Sequence, residues 1–128
     1  MKKILIADDL EGWQKHNSFA VYEVLGHDIT VHTASSGQEG YTKALEHSKE
    51  PYDIIFTDMQ METDYAPKMA GEWLIEQIQN IPSYYRSKII IVSASPRIKH
   101  IAEGYNVFYI PKSVAAVSLE AYKDLLLS

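Results

Sequence analysis

The chain has 128 residues, of which 46% are hydrophobic, and it carries a formal net charge of −5. This length and apolar content suit one domain with one core, and the lack of clustered Lys and Arg argues against direct nucleic-acid binding. Because the chain has no cysteine and its N-terminus predicts a strand instead of a signal peptide or membrane span, we expect a cytoplasmic single domain over residues 1–128 without membrane insertion.

The first half of the chain alternates two predicted strands with two predicted helices. Lys3–Ala7 is a strand, and the helix after it ends at Gly26. Ile29–Ala34 alternates apolar and polar residues as a half-buried strand does, and Ser35, Ser36 and Gly37 then cap a helix through about His47. The predicted core faces of the helices are Trp13, Phe19, Ala20, Val24 and Leu25 in the first and Tyr41, Ala44 and Leu45 in the second.

The second half predicts three further pairs of a strand and a helix. The strands are Tyr52–Thr57, Lys88–Ser93 and Val107–Ile110. The helices are Gly71–Ile81, closed by Pro82; a short helix capped by Ser95 and Pro96 that ends near Gly104; and Val114–Leu127. The predicted inward residues are Trp73, Leu74 and Ile78 in the first of these helices and Val117, Tyr122, Leu125 and Leu126 in the last.

This alternation predicts an α/β fold with a doubly wound, five-stranded parallel sheet of the (βα)5 type and right-handed crossovers. The flavodoxin-like strand order 2-1-3-4-5 is favoured. In that order the first and third strands are neighbours, so Asp8, Asp9 and Asp58 would meet at the carboxyl edge of the sheet. Ser93 and Lys112 follow the fourth and fifth strands at the same edge.

Three carboxylates at one edge indicate a cation site. Like charges held close together repel and raise one another's pKa, so such a cluster is stable when a hard cation lies among them. Mg²⁺ is the natural candidate because it prefers oxygen ligands. Asp8 and Asp9 taken alone could instead be a helix-capping pair favoured by the helix dipole. Trp13 is predicted to lie near the mouth of this pocket.

In combination, these strand ends resemble the receiver domain of two-component response regulators, the CheY-like family, over nearly the whole chain. Each element alone is common, but their joint occurrence in this order is specific. The matching residues are Asp8 and Asp9 for the acidic pair, Asp58 for the phosphoaccepting aspartate, Ser93 for the hydroxyl residue, Lys112 for the lysine after the last strand, and Tyr109 for the switch aromatic.

The resemblance implies a single receiver domain with no output domain, which takes a phosphoryl group from a histidine kinase or phosphotransfer protein and contacts a downstream protein target. Asp58 would be the nucleophile, since a carboxylate can form an acyl phosphate. Lys112 and Ser93 would bind phosphoryl oxygens, and movement of Ser93 and Tyr109 would be the switch. Such a protein catalyses only its own phosphoryl transfer and dephosphorylation, so it is not an enzyme in the usual sense.

The resemblance also implies a ligand set for the cation. Mg²⁺ would be held by Asp9 and Asp58, by Asp8 through water and by the Gln60 backbone carbonyl. Two departures from the family stand beside this site. Ser113 follows Lys112 where the family usually has Pro, and the segment from Glu62 to Ala70 is about five residues longer than the usual turn. We expect that segment to act as a partial lid, with Tyr65 and Met69 as covers.

Two other functions fit parts of the pattern. An unphosphorylated pseudo-receiver would use the same fold only for protein contacts, and a small Mg²⁺-dependent phosphohydrolase would work through an aspartyl phosphate but usually has an acid where Gln60 stands. Taken singly, Ser93 could satisfy its own strand end, Lys112 could be a surface cation and Tyr109 a half-buried strand residue. The histidines lack ligand spacing and suggest surface or packing roles: His16, His27, His32, His47 and His100.

Overall fold

Five parallel strands form one sheet in the computed structural model, which describes residues 1–61 and 70–128. The strands are β1 (Lys2–Ala7), β2 (Ile29–Ala34), β3 (Ile54–Thr57), β4 (Lys88–Ser93) and β5 (Phe108–Pro111). Their order in the sheet is β2-β1-β3-β4-β5, and each pair of neighbours is parallel. The predicted fold class and strand order are therefore confirmed.

Helices follow the strands as predicted, with shifts at several ends. They are α1 (Glu11–Leu25), α2 (Gly37–Glu46), α3 (Ala70–Gln79), α4 (Ile98–Tyr105), α5 (Lys112–Ala115) and α6 (Leu119–Leu126), and a 3₁₀ turn covers Pro82–Tyr84. The cap predicted at Ser95 is displaced, because Arg97 is the residue that precedes α4. The Ser95 hydroxyl instead accepts a hydrogen bond from the Arg97 backbone N–H at 3.2 Å.

The core has two layers, one on each face of the sheet. Ile4, Leu5 and Ile6 of β1 are all fully buried, as expected for a parallel strand covered on both faces. Leu5 belongs to the layer that includes Leu74 of α3, whereas Ile4 and Ile6 belong to the layer that includes Val21 of α1 and residues of α6. The strands therefore end at one edge of a sheet that is covered on both faces.

The prediction of one last helix from Val114 to Leu127 is wrong. The chain leaves α5 after Ala115, and α6 begins again at Leu119. Ser118 starts this second helix, since its Oγ accepts a hydrogen bond from the Ala121 N–H at 3.2 Å. Val117, predicted to face the core, lies in the break and is 85% exposed.

Two further core assignments are wrong for one geometric reason. Phe19 is 60% exposed and Leu45 is 45% exposed. Neighbouring helix positions point about 100° apart, so when Ala20 and Ala44 face the sheet, the residue beside each of them turns outward. In α1 Asn17 is buried instead of Phe19. The Asn17 Oδ1 accepts a hydrogen bond from the Tyr122 hydroxyl at 2.5 Å.

The predicted lid from Glu62 to Ala70 lies outside the described residues except for Ala70, which begins α3. Within residues 1–61 and 70–128, no helix combines the length and the apolar character needed to cross a bilayer.

Candidate functional site

The sheet register brings the predicted carboxylates together. Ala7 of β1 is paired with Thr57 of β3, so Asp8 and Asp58 directly follow paired residues of two neighbouring strands. The Asp58 backbone N–H donates to the Ala7 carbonyl at 3.0 Å, which extends the pairing to the site itself. One carboxylate oxygen from each of Asp8, Asp9 and Asp58 lies within 4.8 Å of the others. The backbone alone therefore places these acids at one point of the edge.

The carboxylates differ in burial and in hydrogen bonding. Asp8 is 1% exposed and Asp58 is 5% exposed, whereas Asp9 is exposed. Asp8 Oδ1 accepts from the Leu10 N–H at 2.9 Å, and Asp58 Oδ1 accepts from the Met59 N–H at 2.7 Å. Helix α1 begins after Leu10 without a side-chain cap, so the capping interpretation of the acid pair is wrong. Each buried acid has one oxygen fixed by a backbone N–H and a second oxygen directed elsewhere.

Lys112 supplies the positive charge of the site. Pro111, with φ −61° and ψ 140°, ends β5 and makes Lys112 the first residue of α5. The Lys112 Nζ lies 2.9 Å from Asp58 Oδ2 and 3.3 Å from Asp8 Oδ2, and its side chain is 11% exposed. The Nζ also lies 4.9 Å from the centroid of the Trp13 ring. Lys112 is therefore a partly enclosed member of the cluster and not an ordinary surface cation.

The pKa of Asp8 is raised above its ordinary value in this cluster. Burial is the largest cause that raises the pKa of Asp8, and the nearby Asp58 raises it further. The Leu10 N–H and Lys112 lower this pKa but do not cancel the effect of burial. Asp8 Oδ2 is buried without a hydrogen bond to any described residue, since its contact with Lys112 lacks hydrogen-bond geometry. A buried carboxylate oxygen that lacks a hydrogen bond, beside two further carboxylates, is an oxygen set that fits Mg²⁺.

A cavity of about 330 Å³ opens over these groups. Gln60, predicted as a ligand through its carbonyl, is exposed at its wall, and Trp13 lies at its wall as predicted. Ser93 is 1% exposed, and its Oγ accepts from the Ser95 N–H at 3.2 Å. Ser93 lines a second, adjoining cavity, and Lys112 lines both cavities. Tyr109 lines neither cavity and is half-buried against the core layer of Leu5.

Sequence reasoning missed Gly71 as a residue of the site. A Cβ at Gly71 would lie 2.1 Å from the Asp58 carbonyl oxygen and 2.7 Å from the Met59 Cα. The Gly71 N–H also donates to the Met59 carbonyl at 3.2 Å. Only glycine allows the first turn of α3 to lie this close to the backbone of Asp58. The sequence holds no local signal for this contact, because it joins two segments that are separated along the chain.

No protein-family model matches the chain. Among curated proteins, the gliding motility regulatory protein of Myxococcus xanthus is 33% identical over 99 residues. The match covers 76% of the present chain and 11% of that protein, so the chain spans about a tenth of this relative's length.

Solved structures share the fold over almost the whole chain. The phosphorylated cyanobacterial phytochrome response regulator RcpA superimposes with a TM-score of 0.75 at 20% identity, over 96% of the present chain and 89% of that chain. A chain from the Saccharomyces cerevisiae co-crystal of the histidine phosphotransfer protein Ypd1 and the receiver domain of Ssk1 superimposes with a TM-score of 0.71 at 21% identity, over 94% and 83% of the respective chains. At these identities the likeness is one of fold.

Proposed function

Since the chain has the fold of response-regulator receiver domains, we propose that it is a phosphorylation-switched receiver of two-component signalling. It would take a phosphoryl group on Asp58 from a histidine kinase or phosphotransfer protein in the cytoplasm and signal by contact with a downstream protein. The observation that carries this proposal is the enclosure of Lys112 between Asp58 and Asp8, where the buried Asp8 Oδ2 lies 3.3 Å from the Lys112 Nζ but has no hydrogen bond to a described residue.

The hydrogen bonds of Asp58 support its proposed role as the nucleophile. Its Oδ1 is held by the Met59 N–H, which leaves Oδ2 at the cavity beside the Lys112 Nζ. An Asp58 oxygen would form a bond to phosphorus while the P–N bond of a phosphohistidine breaks, and the imidazole would leave with the electron pair. Lys112 then needs only a short shift to pair with a phosphoryl oxygen, because it already lies against the attacked carboxylate.

The acidic side chains would hold the cation. Asp8, Asp9, Asp58 and the Gln60 carbonyl are the proposed ligands, and the three carboxylates already converge within 4.8 Å. Bound Mg²⁺ would neutralise charge that develops on the transferring phosphoryl oxygens. Asp8 supports this proposal most strongly, because its raised pKa and the missing hydrogen bond at its Oδ2 are costs that a divalent cation would relieve.

Ser93 and Tyr109 are the proposed switch. The Ser93 hydroxyl accepts from the Ser95 N–H, and no described residue accepts its own proton, which can therefore be donated to a ligand. Donation to a phosphoryl oxygen would pull this hydroxyl toward Asp58 and weaken its bond to Ser95. Tyr109 lies half-buried on β5, one position from Ile110, which stays in the core. It could therefore change its packing without unfolding the strand.

Labelling with acetyl phosphate and Mg²⁺, followed by intact mass spectrometry, tests this function. We expect the wild-type chain to gain one phosphoryl group and the Asp58→Asn variant to gain none, since the amide keeps the shape but removes the nucleophilic oxygen. Asp28→Asn, at an exposed loop residue, is the matched control and should label as wild type does.

Two outcomes would contradict the proposal. Full labelling of Asp58→Asn would place the phosphoacceptor elsewhere. A wild-type chain that stays unlabelled, with no Mg²⁺-dependent change of Trp13 fluorescence, would favour a pseudo-receiver that uses the fold only for protein contacts.

A further inference from the structure

We infer that Trp13 is a positioning residue that holds the Lys112 ammonium inside the cavity. The inference rests on the proposed function for its consequence, but the contact itself can be tested without phosphorylation. The Lys112 Nζ lies 4.9 Å from the Trp13 ring centroid, within the range of a cation–π interaction. Trp is the aromatic side chain that binds cations best, and partial burial strengthens the attraction.

The ring is a contact of the Lys112 ammonium in addition to the two carboxylates. Asp58 Oδ2 and Asp8 Oδ2 lie 2.9 Å and 3.3 Å from the Nζ. Trp13 and Lys112 both line the cavity of about 330 Å³. The ammonium therefore has negative charge on one side and a ring face on another, and its side chain is 11% exposed.

The Trp13 ring is also in contact with the ring of His16. The His16 ring lies 5.1 Å away at an interplanar angle of 73°, so the two rings meet edge to face. The His16 Nε2 lies 2.7 Å from the Ala115 carbonyl, and because a carbonyl can only accept, this nitrogen carries the proton. Ala115 is the last residue of α5, the turn that Lys112 begins. The ring and the cation are therefore both anchored to the same short helix, one through His16 and the other directly.

This arrangement matters when the charge at Asp58 changes. In the transfer from acetyl phosphate, the new bond from Asp58 to phosphorus forms while the bond to acetate breaks, and acetate leaves with the electron pair. The ammonium must then pass from a carboxylate oxygen to a phosphoryl oxygen. The ring face supplies a contact that survives this shift, so that the cation stays at the reaction instead of moving to solvent.

The first test measures the contact in the unphosphorylated chain. The face of an indole ring shifts nearby protons upfield in NMR spectra, so we expect upfield ε-methylene protons for Lys112 in the wild-type chain. Trp13→Leu should return them to ordinary positions, whereas Trp13→Phe should keep part of the shift. Ordinary shifts in the wild-type chain would overturn the inference.

The second test measures the consequence. Trp13→Leu should slow labelling of Asp58 by acetyl phosphate by about 3- to 10-fold, the range expected for loss of a partly enclosed cation–π contact. Trp13→Phe should recover most of this rate, because it restores a ring face, and thermal unfolding of each variant checks the fold. Equal rates for the Leu and Phe variants would overturn the positioning role. An unlabelled wild-type chain with the NMR shift intact would overturn the proposed function and support the ring contact.

Discussion

Two clusters of polar side chains are built on the same sheet, and they are completed in opposite ways. The acidic cluster comprises Asp8, Asp9, Asp58 and Lys112, and no described residue donates a hydrogen bond to Asp8 Oδ2. The histidine cluster comprises His32 of β2, His47 after α2 and Tyr52 before β3, and hydrogen bonds between protein groups join its members.

In the histidine cluster one hydroxyl joins two imidazoles. The His47 Nδ1 lies 2.9 Å from the Lys43 carbonyl and therefore carries a proton, which also faces the Tyr52 hydroxyl oxygen at 3.2 Å. The Tyr52 hydroxyl can then donate to the His32 Nδ1 at 2.7 Å. The His47 Nδ1–H and the Tyr52 hydroxyl therefore each have an acceptor within the protein, which agrees with the predicted packing roles of these histidines.

The comparison separates a binding site from a structural network. Buried polar groups are almost always paired, because an unpaired group keeps the cost of lost hydration. A network closed within the protein stabilises the fold by itself. A cluster in which a buried carboxylate oxygen lacks a hydrogen bond is less stable alone, and a bound ligand stabilises it. Substitutions that remove polar atoms should therefore have opposite effects on stability in the two clusters.

The largest expected effect comes from Gly71→Ala. The added Cβ would lie 2.1 Å from the Asp58 carbonyl oxygen, so the backbone of the acidic cluster must move. We expect the free energy of unfolding to fall by about 3 kcal/mol and labelling of Asp58 to be lost. Urea unfolding and acetyl phosphate labelling measure the two effects. Gly104→Ala is the matched control, since a Cβ there meets no atom of the described residues within 4 Å, and it should be neutral or slightly stabilising. Equal behaviour of the two variants would mean that the close contact at Asp58 is not limiting.

Asp8→Asn tests whether loss of a charge from the acidic cluster raises the free energy of unfolding. The amide can still accept from the Leu10 N–H but carries no buried charge, so without Mg²⁺ we expect the variant to be more stable than wild type by about 1 to 2 kcal/mol. Its stability should respond less to added Mg²⁺ than that of wild type. Thermal unfolding with and without Mg²⁺ measures both effects, and Asp124→Asn, at an exposed residue of α6, is the control. A destabilised Asp8→Asn variant would show that Asp8 belongs to a closed network after all.

Tyr52→Phe should act in the opposite direction. It removes the hydroxyl that joins His32 and His47 but keeps the buried ring, so we expect a loss of about 1 kcal/mol. Labelling of Asp58 should be unchanged. Urea unfolding measures the loss, with Tyr85→Phe as the control, because Tyr85 is 77% exposed. A stability equal to wild type would remove the case for a stabilising closed network.

The smallest effect is a pH dependence of stability. Burial is the largest cause that lowers the pKa of His32, and the nearby positive charges of His47, Lys43 and Lys3 lower it further. The folded chain therefore binds this proton less readily than the unfolded chain, in which a histidine titrates near pH 6.5. Stability from this group is present above about pH 6.5 and is lost as the pH falls below it. Urea unfolding at about pH 7.5 and 5.5 should show a smaller difference for His32→Gln than for wild type. The exposed His100→Gln control should leave the difference unchanged.

The sequence was enough to predict the strand order and the residues of the acidic cluster, since both follow from which residues end each strand. It was not enough for Gly71, whose role depends on a contact with a separate segment. The Trp13 contact with Lys112 was likewise invisible, because it depends on the angle at which α1 leaves β1. The break before α6 does have a local signal in Ser118, a good helix cap, which the prediction of one helix from Val114 to Leu127 did not use.

The pairing of Ala7 with Thr57 also bears on how far sequences can diverge around this site. The distance between the two strands at Asp8 and Asp58 is set by backbone hydrogen bonds, which every residue type except proline can make. Replacing one core side chain by another of similar volume leaves that distance unchanged. A chain can therefore exchange most of its core residues and still present its strand-end carboxylates at the same separation. The TM-score of 0.75 at 20% identity is the degree of shared shape that such tolerance allows.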